Sequence, residues 1–299
     1  MTSNRPLRVG FVPEHFSTPI HFAKKYYGLD AELIPFPSGT GHMVTALRGG
    51  EIDVGVGLTE GWIAALGKAQ QAEEKGDGGF KLVGTYVETP LCWAISTGAD
   101  RPEIKSVDSL QGGKIGVSRI GSGSYVMGYV LADQRGWLLP TAGAGSELEQ
   151  SSPYSDFVVL NTFENLRKAV NSGDADFFMW EHFTSKRYYD NGEIRRIVAS
   201  TDLIEGEKLD ARVDDLLERL NSGIKYFNEN QEEGVTYIST ELDYSGEDAR
   251  EWLKTVRFPE RTQGVDPKVV DSTVEILCKA GVLAVNTTVK TADMIARQR

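Results

Sequence analysis

Short apolar runs alternate with amphipathic stretches along most of the chain. Residues 7–12 (LRVGFV) form an apolar run closed by Pro13, and predict a buried strand. Ser17 or Thr18 can cap a helix with Pro19 at its first position, running to Gly28. Residues 31–36 (AELIPF) predict a second, weaker strand, 37–41 a loop, and 42–48 a helix stopped by Gly49 and Gly50. A third strand follows at 53–58 (DVGVGL), a helix at 60–71, a polar surface loop at 71–79 and a fourth strand at 81–87 (KLVGTYV). This β-α-β-α-β-α-β order implies a parallel sheet with helices on both faces.

The pattern then restarts. Strands are expected at 91–96, 114–118, 157–160, 175–180 and 194–199, with helices at 122–135 and 163–171. The stretch 139–155 (LPTAGAGSELEQSSPYS) is loop-like. After about residue 200 the strand signals stop, and 209–228, 232–242, 247–255 and 267–280 carry helical periodicity. Two α/β units followed by a helical tail are therefore expected, and the tail must pack on one of them.

Composition narrows the function. The chain has 299 residues, 25% of them charged, with 43 acids against 32 bases and a net charge of −11. That balance argues against nucleic acid or an anionic membrane surface as partner, since both reward clustered Lys and Arg. No run approaches the ~18 apolar residues of a membrane helix. No apolar stretch of about 7–15 residues precedes the first strand, so no secretory signal is expected and the protein is placed in the cytoplasm. Cys92 and Cys278 lie in separate apolar runs and read as reduced, buried thiols.

Glycine is the unusual component. Of the 32, seven fall between Gly39 and Gly61 and six between Gly112 and Gly128, while the last 99 residues hold six. The first cluster contains Ser38-Gly39-Thr40-Gly41-His42, between a strand and a helix. Such a loop lets a ligand approach the backbone, and the helix start presents N–H groups suited to carboxylate, sulfonate or phosphate. A plain loop with a capping Ser or Thr fits the pattern too. No GK[ST] follows, so it is not a P-loop. The second cluster repeats the device: Ser118-Arg119-Ile120-Gly121-Ser122-Gly123-Ser124-Tyr125 follows the strand KIGVS and opens a helix. Arg119 can bind an anion with two donors or pair with a surface acid. GxGxxG is only partly met here, and no dinucleotide site is read.

Two further corners stand out. Thr59-Glu60-Gly61-Trp62 follows the third strand, where Thr59 can cap and Glu60 favour the helix dipole. Trp180-Glu181-His182 ends the strand FFMW, where an aromatic and a carboxylate could hold a ligand, or be core Trp with surface Glu. His15, His42 and His182 sit in strand-to-helix corners, but with His21 their spacing matches no metal-ligand pattern, and no metal is expected. No nucleophile elbow is present.

Three stretches in order, LRVGFVPEHFSTPIHFAKKYYGLDAELIPF, ALRGGEIDVGVGLTEGWIAAL and SVDSLQGGKIGVSRIGSGSYVMGYVL, resemble type II periplasmic solute-binding proteins. The nearest branch binds alkanesulfonates, taurine, nitrate and the thiamine pyrimidine precursor. An intracellular, largely fungal subgroup without a signal peptide is more similar still. The resemblance implies an α/β fold of two lobes, each a mostly parallel sheet flanked by helices. Residues 1–90 and 200–299 would form the first lobe and 91–199 the second, with crossings at Glu88-Thr89-Pro90 and Ala199-Ser200-Thr201. It implies an interlobe cleft with hinge closure, lined by His15, Phe16, Ser38, Gly39, Thr40, Thr59, Glu60, Arg119, Ser122, Ser124, Tyr125, Trp180 and Glu181. The expected function is binding of a small anionic or zwitterionic metabolite: a sulfonate, an amino-acid-like compound or a thiamine-pyrimidine precursor. The alternative is a cytosolic lyase, dehydratase or pyrimidine-synthesis enzyme using Glu60 or Glu181 as acid or base. The pyrimidine-synthesising relatives carry a lysine after the third strand and a cysteine-rich motif. Gly57-Leu58-Thr59-Glu60 has no lysine, so no cofactor is expected. Without a signal, a membrane transporter partner is not expected.

Overall fold

The computed structural model describes residues 5–72, 78–89, 91–138, 152–200, 206–207, 211–285 and 289–299. The chain divides into two compact units. The first comprises Met1–Pro90, Thr201–Val274 and Thr288–Arg299; the second comprises Leu91–Ser200 and Glu275–Thr287. The sequence reading puts the whole tail with the first lobe, whereas the stretch Glu275–Thr287 packs with the second unit.

In the first unit, β1 (Leu7–Phe11), β2 (Ala31–Pro35) and β3 (Val54–Val56) form a sheet in the order β2-β1-β3. Both pairings are parallel, in register from Leu7↔Ala31 to Phe11↔Pro35 and from Val9↔Val54 to Phe11↔Val56. The carboxyl ends of all three strands therefore lie along one edge. Helices α1 (Thr18–Tyr27), α2 (Thr40–Arg48) and α3 (Thr59–Gln71) follow the strands in turn. Gly28 ends α1 in the left-handed region at φ 61°, where glycine has no Cβ penalty. Helix α2 begins at Thr40, earlier than the expected 42, because Gly39 rather than a later residue serves as N-cap.

Apolar residues on the two faces of this sheet build two clusters. Leu7, Val9 and Ala31 pack with Ile20 and Ala23 of α1 and with Leu216, Leu217 and Leu220. The last three belong to α7 (Ala211–Glu229), which opens the helical tail. Phe36, Met43, Val44, Ala46, Ile52 and Trp62 form the other cluster. The tail continues through α8 (Gln231–Glu241), α9 (Gly246–Leu253) and α10 (Pro267–Lys279).

Residues 81–87 are not a fourth strand of this sheet. Leu82 and Gly84 make only isolated bridges, to Ile295 and to Gln263 and Gly264. The hydrogen bonds of this stretch go to distant chain: Leu82 N–H donates to Met294 O, Thr85 N–H to Thr262 O and Glu88 N–H to Arg257 O. A strand-like run needs a ladder partner, and here irregular tail segments supply it.

In the second unit, β4 (Trp93–Gly98), β5 (Lys114–Val117), β6 (Asp156–Val159), β7 (Phe177–Glu181) and β8 (Ile194–Ser200) form a sheet in the order β6-β5-β7-β4-β8. β5 is parallel to β6 and β7, while β4 runs antiparallel to β7 and β8. Trp93 at the start of β4 pairs with Glu181 and Ser200, so the segment Leu91–Ser200 begins and ends on adjacent strands. The crossovers are α4 (Gly123–Gln134), α5 (Phe163–Ser172) and α6 (His182–Asp190). The sequence reading contains no α6, because HFTSKRYYD has no continuous apolar stripe. Leu166, Ala169, Val170, Ala175, Phe178 and Ile194 form the core between α5 and the sheet.

A two-residue antiparallel pair, β9 (Gly206–Glu207) with β10 (Gly264–Val265), shows that strand structure does not end entirely at residue 200. Most of the expected loop at 139–155, part of that at 71–79, and Pro90 and Thr201 of the expected crossings lie outside the described residues. No helix among the described residues is long and apolar enough to cross a membrane.

Candidate ligand-binding corners

Each unit gathers its expected site residues at the carboxyl ends of parallel strands, the edge where open α/β sheets bind ligands. In the first unit, His15 and Phe16 follow β1, Ser38, Gly39 and Thr40 follow β2, and Thr59 and Glu60 follow β3. In the second, Arg119, Ser122, Ser124 and Tyr125 follow β5, and Trp180 and Glu181 end β7.

The first corner is built on a short 3-10 turn, His15–Ser17. His15 is buried among rings, with centroids 4.5 Å from Phe16, 4.6 Å from Tyr244 and 4.4 Å from Trp252. Burial pushes its pKa down to about 3, so the imidazole is neutral at physiological pH. Tyr86 holds the turn by donating its hydroxyl to Phe16 O at 2.7 Å. Neither Ser17 nor Thr18 caps α1 through its side chain; Thr18 Oγ1 donates back to His15 O at 2.8 Å. Beside His15, burial raises the Glu14 carboxyl to about 7.

The second and third corners are joined. Thr40 Oγ1 accepts the Leu58 N–H at 2.8 Å. Gly39, at φ 78°, turns the chain into α2, and Ser38 lies exposed before it. Thr59 does not cap α3: Leu58 holds the N-cap position and no side chain caps it. Glu60 sits in the first turn of α3. Its carboxyl is raised to about 6 by burial, opposed by its own backbone N–H. Its Oε1 is sealed from solvent without a hydrogen-bond partner among the described residues.

The second unit's first corner is a hydroxyl cluster at the start of α4. Ser122 is the N-cap, and its Oγ donates to Arg119 O at 2.7 Å. Ser124 Oγ accepts the Ser118 N–H at 3.1 Å and lies 2.9 Å from Ser122 Oγ. All three serines are buried. Arg119 is half-buried beside them, and burial lowers its pKa from the usual value. A guanidinium keeps its charge at physiological pH regardless. Helix start, hydroxyls and guanidinium together suit an anion. The Tyr125 ring packs inward, 4.5 Å from Phe157 and 5.2 Å from Tyr129.

At the end of β7, Trp180 stacks on Phe163 at 5.2 Å. Glu181 is a buried cap rather than a surface acid. Its Oε2 accepts the Thr184 N–H at 2.7 Å and the Thr184 hydroxyl at 2.9 Å, starting α6. Cys92 lies close by; burial raises its thiol pKa, with the Glu181 charge adding to the shift. Both cysteines are half-buried and free.

Glu14, Tyr244 and Trp252 escaped the sequence reading. Glu14 stands next to His15 in the same corner and could have been noticed; the two tail aromatics carry no sequence signal of their place. Among the described residues no group of His, Cys, Asp and Glu side chains could hold a metal. Two surface concavities, of about 560 and 680 Å³, are lined by other residues, including Asp214, Arg261 and Arg297 in one and Lys105 and Arg195 in the other.

No curated protein matches the sequence. The family model described as "Ca3427-like PBP" matches residues 93–199. The Candida albicans CA3427 gene product, described as defining a new family with the generic periplasmic binding protein fold, is 36% identical over 98% of this chain and 96% of its own, with a TM-score of 0.81. The chain belongs to the CA3427 family. Other structures share the fold at lower identity. The alkanesulfonate-binding protein SsuA from Xanthomonas axonopodis pv. citri, bound to MOPS, is 15% identical over 98% of this chain and 99% of its own, with a TM-score of 0.68. The nitrate-binding protein NrtA from Synechocystis is 15% identical over 95% of this chain and 84% of its own, with a TM-score of 0.61. The CA3427 family thus has the type II periplasmic-binding-protein fold expected from the sequence.

Proposed function

We propose that this CA3427-family protein binds a small anionic or zwitterionic metabolite. Candidates are a sulfonate, an amino-acid-like compound or a thiamine-pyrimidine precursor. The observation that carries the reading is the α4 corner, where Ser118, Ser122 and Ser124 cluster beside Arg119. Sulfonate- and nitrate-binding proteins of the same fold support it. In this reading the anionic group of the ligand docks at the helix start, the hydroxyls and the guanidinium of that corner. A thermal-shift screen of sulfonates, nitrate, amino acids and pyrimidines tests it. A ligand at a hundred times its Kd adds about 2.7 kcal/mol of stability. No shift with any class at millimolar concentration overturns the proposal.

Glu60 favours a second reading, catalysis. A carboxyl raised to about 6 can exchange a proton near neutral pH. Glu181 is the weaker candidate, because its Oε2 is engaged by Thr184. Incubating the protein with each stabilising compound and weighing the products decides between binding and turnover. An unchanged ligand rules out turnover of that compound.

A further inference from the structure

A cavity of about 560 Å³ opens in the first unit and shares no lining residue with the strand-to-helix corners. Three stretches wall it: α7 through Asp214 and Glu218, residues 260, 261 and 263, and residues 297–299. Asp214 and Glu218 lie four residues apart on α7 and so share one face. Thr262 is buried between Arg261 and Gln263. It donates its N–H to Asn221 Oδ1 of α7 at 2.7 Å and leaves its two neighbours to the cavity. Val265 N–H donates to Arg297 O at 3.2 Å, which joins the second stretch to the third. Hydrogen bonds within one unit therefore hold the walls together.

All eight lining residues are charged or carry an amide, so the cavity suits a polar ligand. The charges balance, three carboxylates against three guanidiniums. Two guanidiniums are engaged: Arg297 is buried and pairs with Asp214, and Arg299 donates to Glu88 Oε1 at 3.0 Å. Arg261, Glu218 and Glu260 are exposed, and among the described residues no side-chain hydrogen bond or ion pair engages them. A simple anion at Arg261 meets the two carboxylates as well, and a simple cation at the carboxylates meets the guanidinium. A ligand with both signs is complemented by all three.

We infer that this cavity is a second small-molecule site, and that it takes a zwitterion the size of an amino acid or a short peptide. The carboxylate of the ligand docks on Arg261 and its ammonium group on Glu218 and Glu260. Gln263 Oε1 accepts from Asn221 Nδ2 at 2.9 Å, which leaves the Gln263 NH2 to donate to a peptide or side-chain carbonyl. The site does not depend on the α4 corner, whose residues belong to the other unit.

The test uses the full chain with glycylglycine and the common amino acids, screened by thermal shift and measured by calorimetry. For the tightest binder, the N-acetylated form removes the cation and the C-terminal amide removes the anion. Each capped form should bind about tenfold or more weaker, the loss of one charge-assisted hydrogen bond. Arg261→Gln and Glu218→Gln should each weaken the zwitterion by a similar factor. Both replace exposed side chains, so the fold should be retained, and a urea midpoint checks it. Arg119→Gln, in the other unit, should leave this affinity unchanged. Tighter binding of glycylglycine than of any amino acid assigns a peptide, and the reverse assigns an amino acid. Equal binding of the zwitterion and its two capped forms overturns the site, as does affinity that survives both Arg261→Gln and Glu218→Gln. Binding lost only with Arg119→Gln overturns the cavity site and leaves the α4 reading standing. If no zwitterion binds, the cavity site is overturned too, and the α4 reading stands or falls on its own anions.

Discussion

Thr40 and Leu58 lock two corners of the first unit together: the Thr40 hydroxyl accepts the Leu58 backbone N–H at 2.8 Å, across two different strand-to-helix loops. The glycines around this bond make room for it. A Cβ on Gly57 would lie 2.6 Å from Thr40 Oγ1, and one on Gly61 would lie 2.9 Å from Thr40 Cγ2. Part of the glycine excess therefore serves close packing between loops rather than contact with a ligand.

Thr40→Val keeps the shape and removes the acceptor. Leaving a shielded N–H unpaired costs about 1–3 kcal/mol. Thr40→Ser keeps the acceptor and should lose less. Urea unfolding of the three proteins at one pH measures the difference. Equal stability of the valine variant and wild type would show that solvent replaces the bond.

Glu181 offers a comparable test in the second unit. Its Oε2 accepts both the Thr184 N–H and the Thr184 hydroxyl, so it begins α6. Glu181→Ala should cost about 1–2 kcal/mol, the usual loss of a capping side chain. Glu181→Gln retains an acceptor oxygen and should cost less. Chemical denaturation checks the order of the three. The same pair separates capping from chemistry: if Glu181 only positions α6, the glutamine variant keeps any turnover the protein proves to have.

Acid and base should destabilise the first unit for different reasons. His15 has a folded pKa of about 3, below its ordinary 6.5. Its unfolded form takes up a proton first, so stability falls as pH drops from 6.5 toward 3. Glu14 and Glu60 are raised from 4.5 to about 7 and about 6. Their contribution is complete below 4.5 and is lost as pH rises through those values. The stability gap between wild type and Glu60→Gln should therefore move in favour of the variant between about pH 4.5 and pH 6, then level off. His15→Gln should flatten the acid limb. Denaturant midpoints across that range test both, and a pH-independent gap would show that Glu60 is not shielded from water.

The strand-to-helix corners were legible in the sequence because short apolar runs such as LRVGF end in Pro, Ser or Gly, and Gly28 stops α1 as expected. Partners distant in the chain were not. Residues 81–87 look like any other strand, but their backbone hydrogen bonds go to residues 262–296. The ring wall on His15 is completed by Tyr244 and Trp252, far along the chain. Neither helical periodicity nor composition says which face of α9 meets which loop. The sequence shows the charge of Glu181, but its position as N-cap depends on α6, a helix with no continuous apolar stripe to mark it.

Gly223 tests how the helical tail completes the first unit. In an exposed helix interior, replacing Gly with Ala gains about 1 kcal/mol of helix propensity. Gly223 is buried in α7, where a Cβ would fall 2.3 Å from the Pro19 carbonyl oxygen and 2.8 Å from the Ala23 Cβ of α1. The first obstacle is backbone, which cannot rotate away as a long side chain can. Overpacking of this kind costs about 1–3 kcal/mol or more, and α1 and α7 must separate to admit the methyl. The clash outweighs the propensity gain, so Gly223→Ala should lower stability. Lys225→Ala, on the exposed side of the same helix, should change it by less than about 0.5 kcal/mol. If Gly223→Ala instead stabilises the protein in thermal and urea unfolding, the close approach of α1 and α7 does not persist in solution, and the packing of the tail on β1 and α1 must be looser than Leu216, Leu217 and Leu220 indicate.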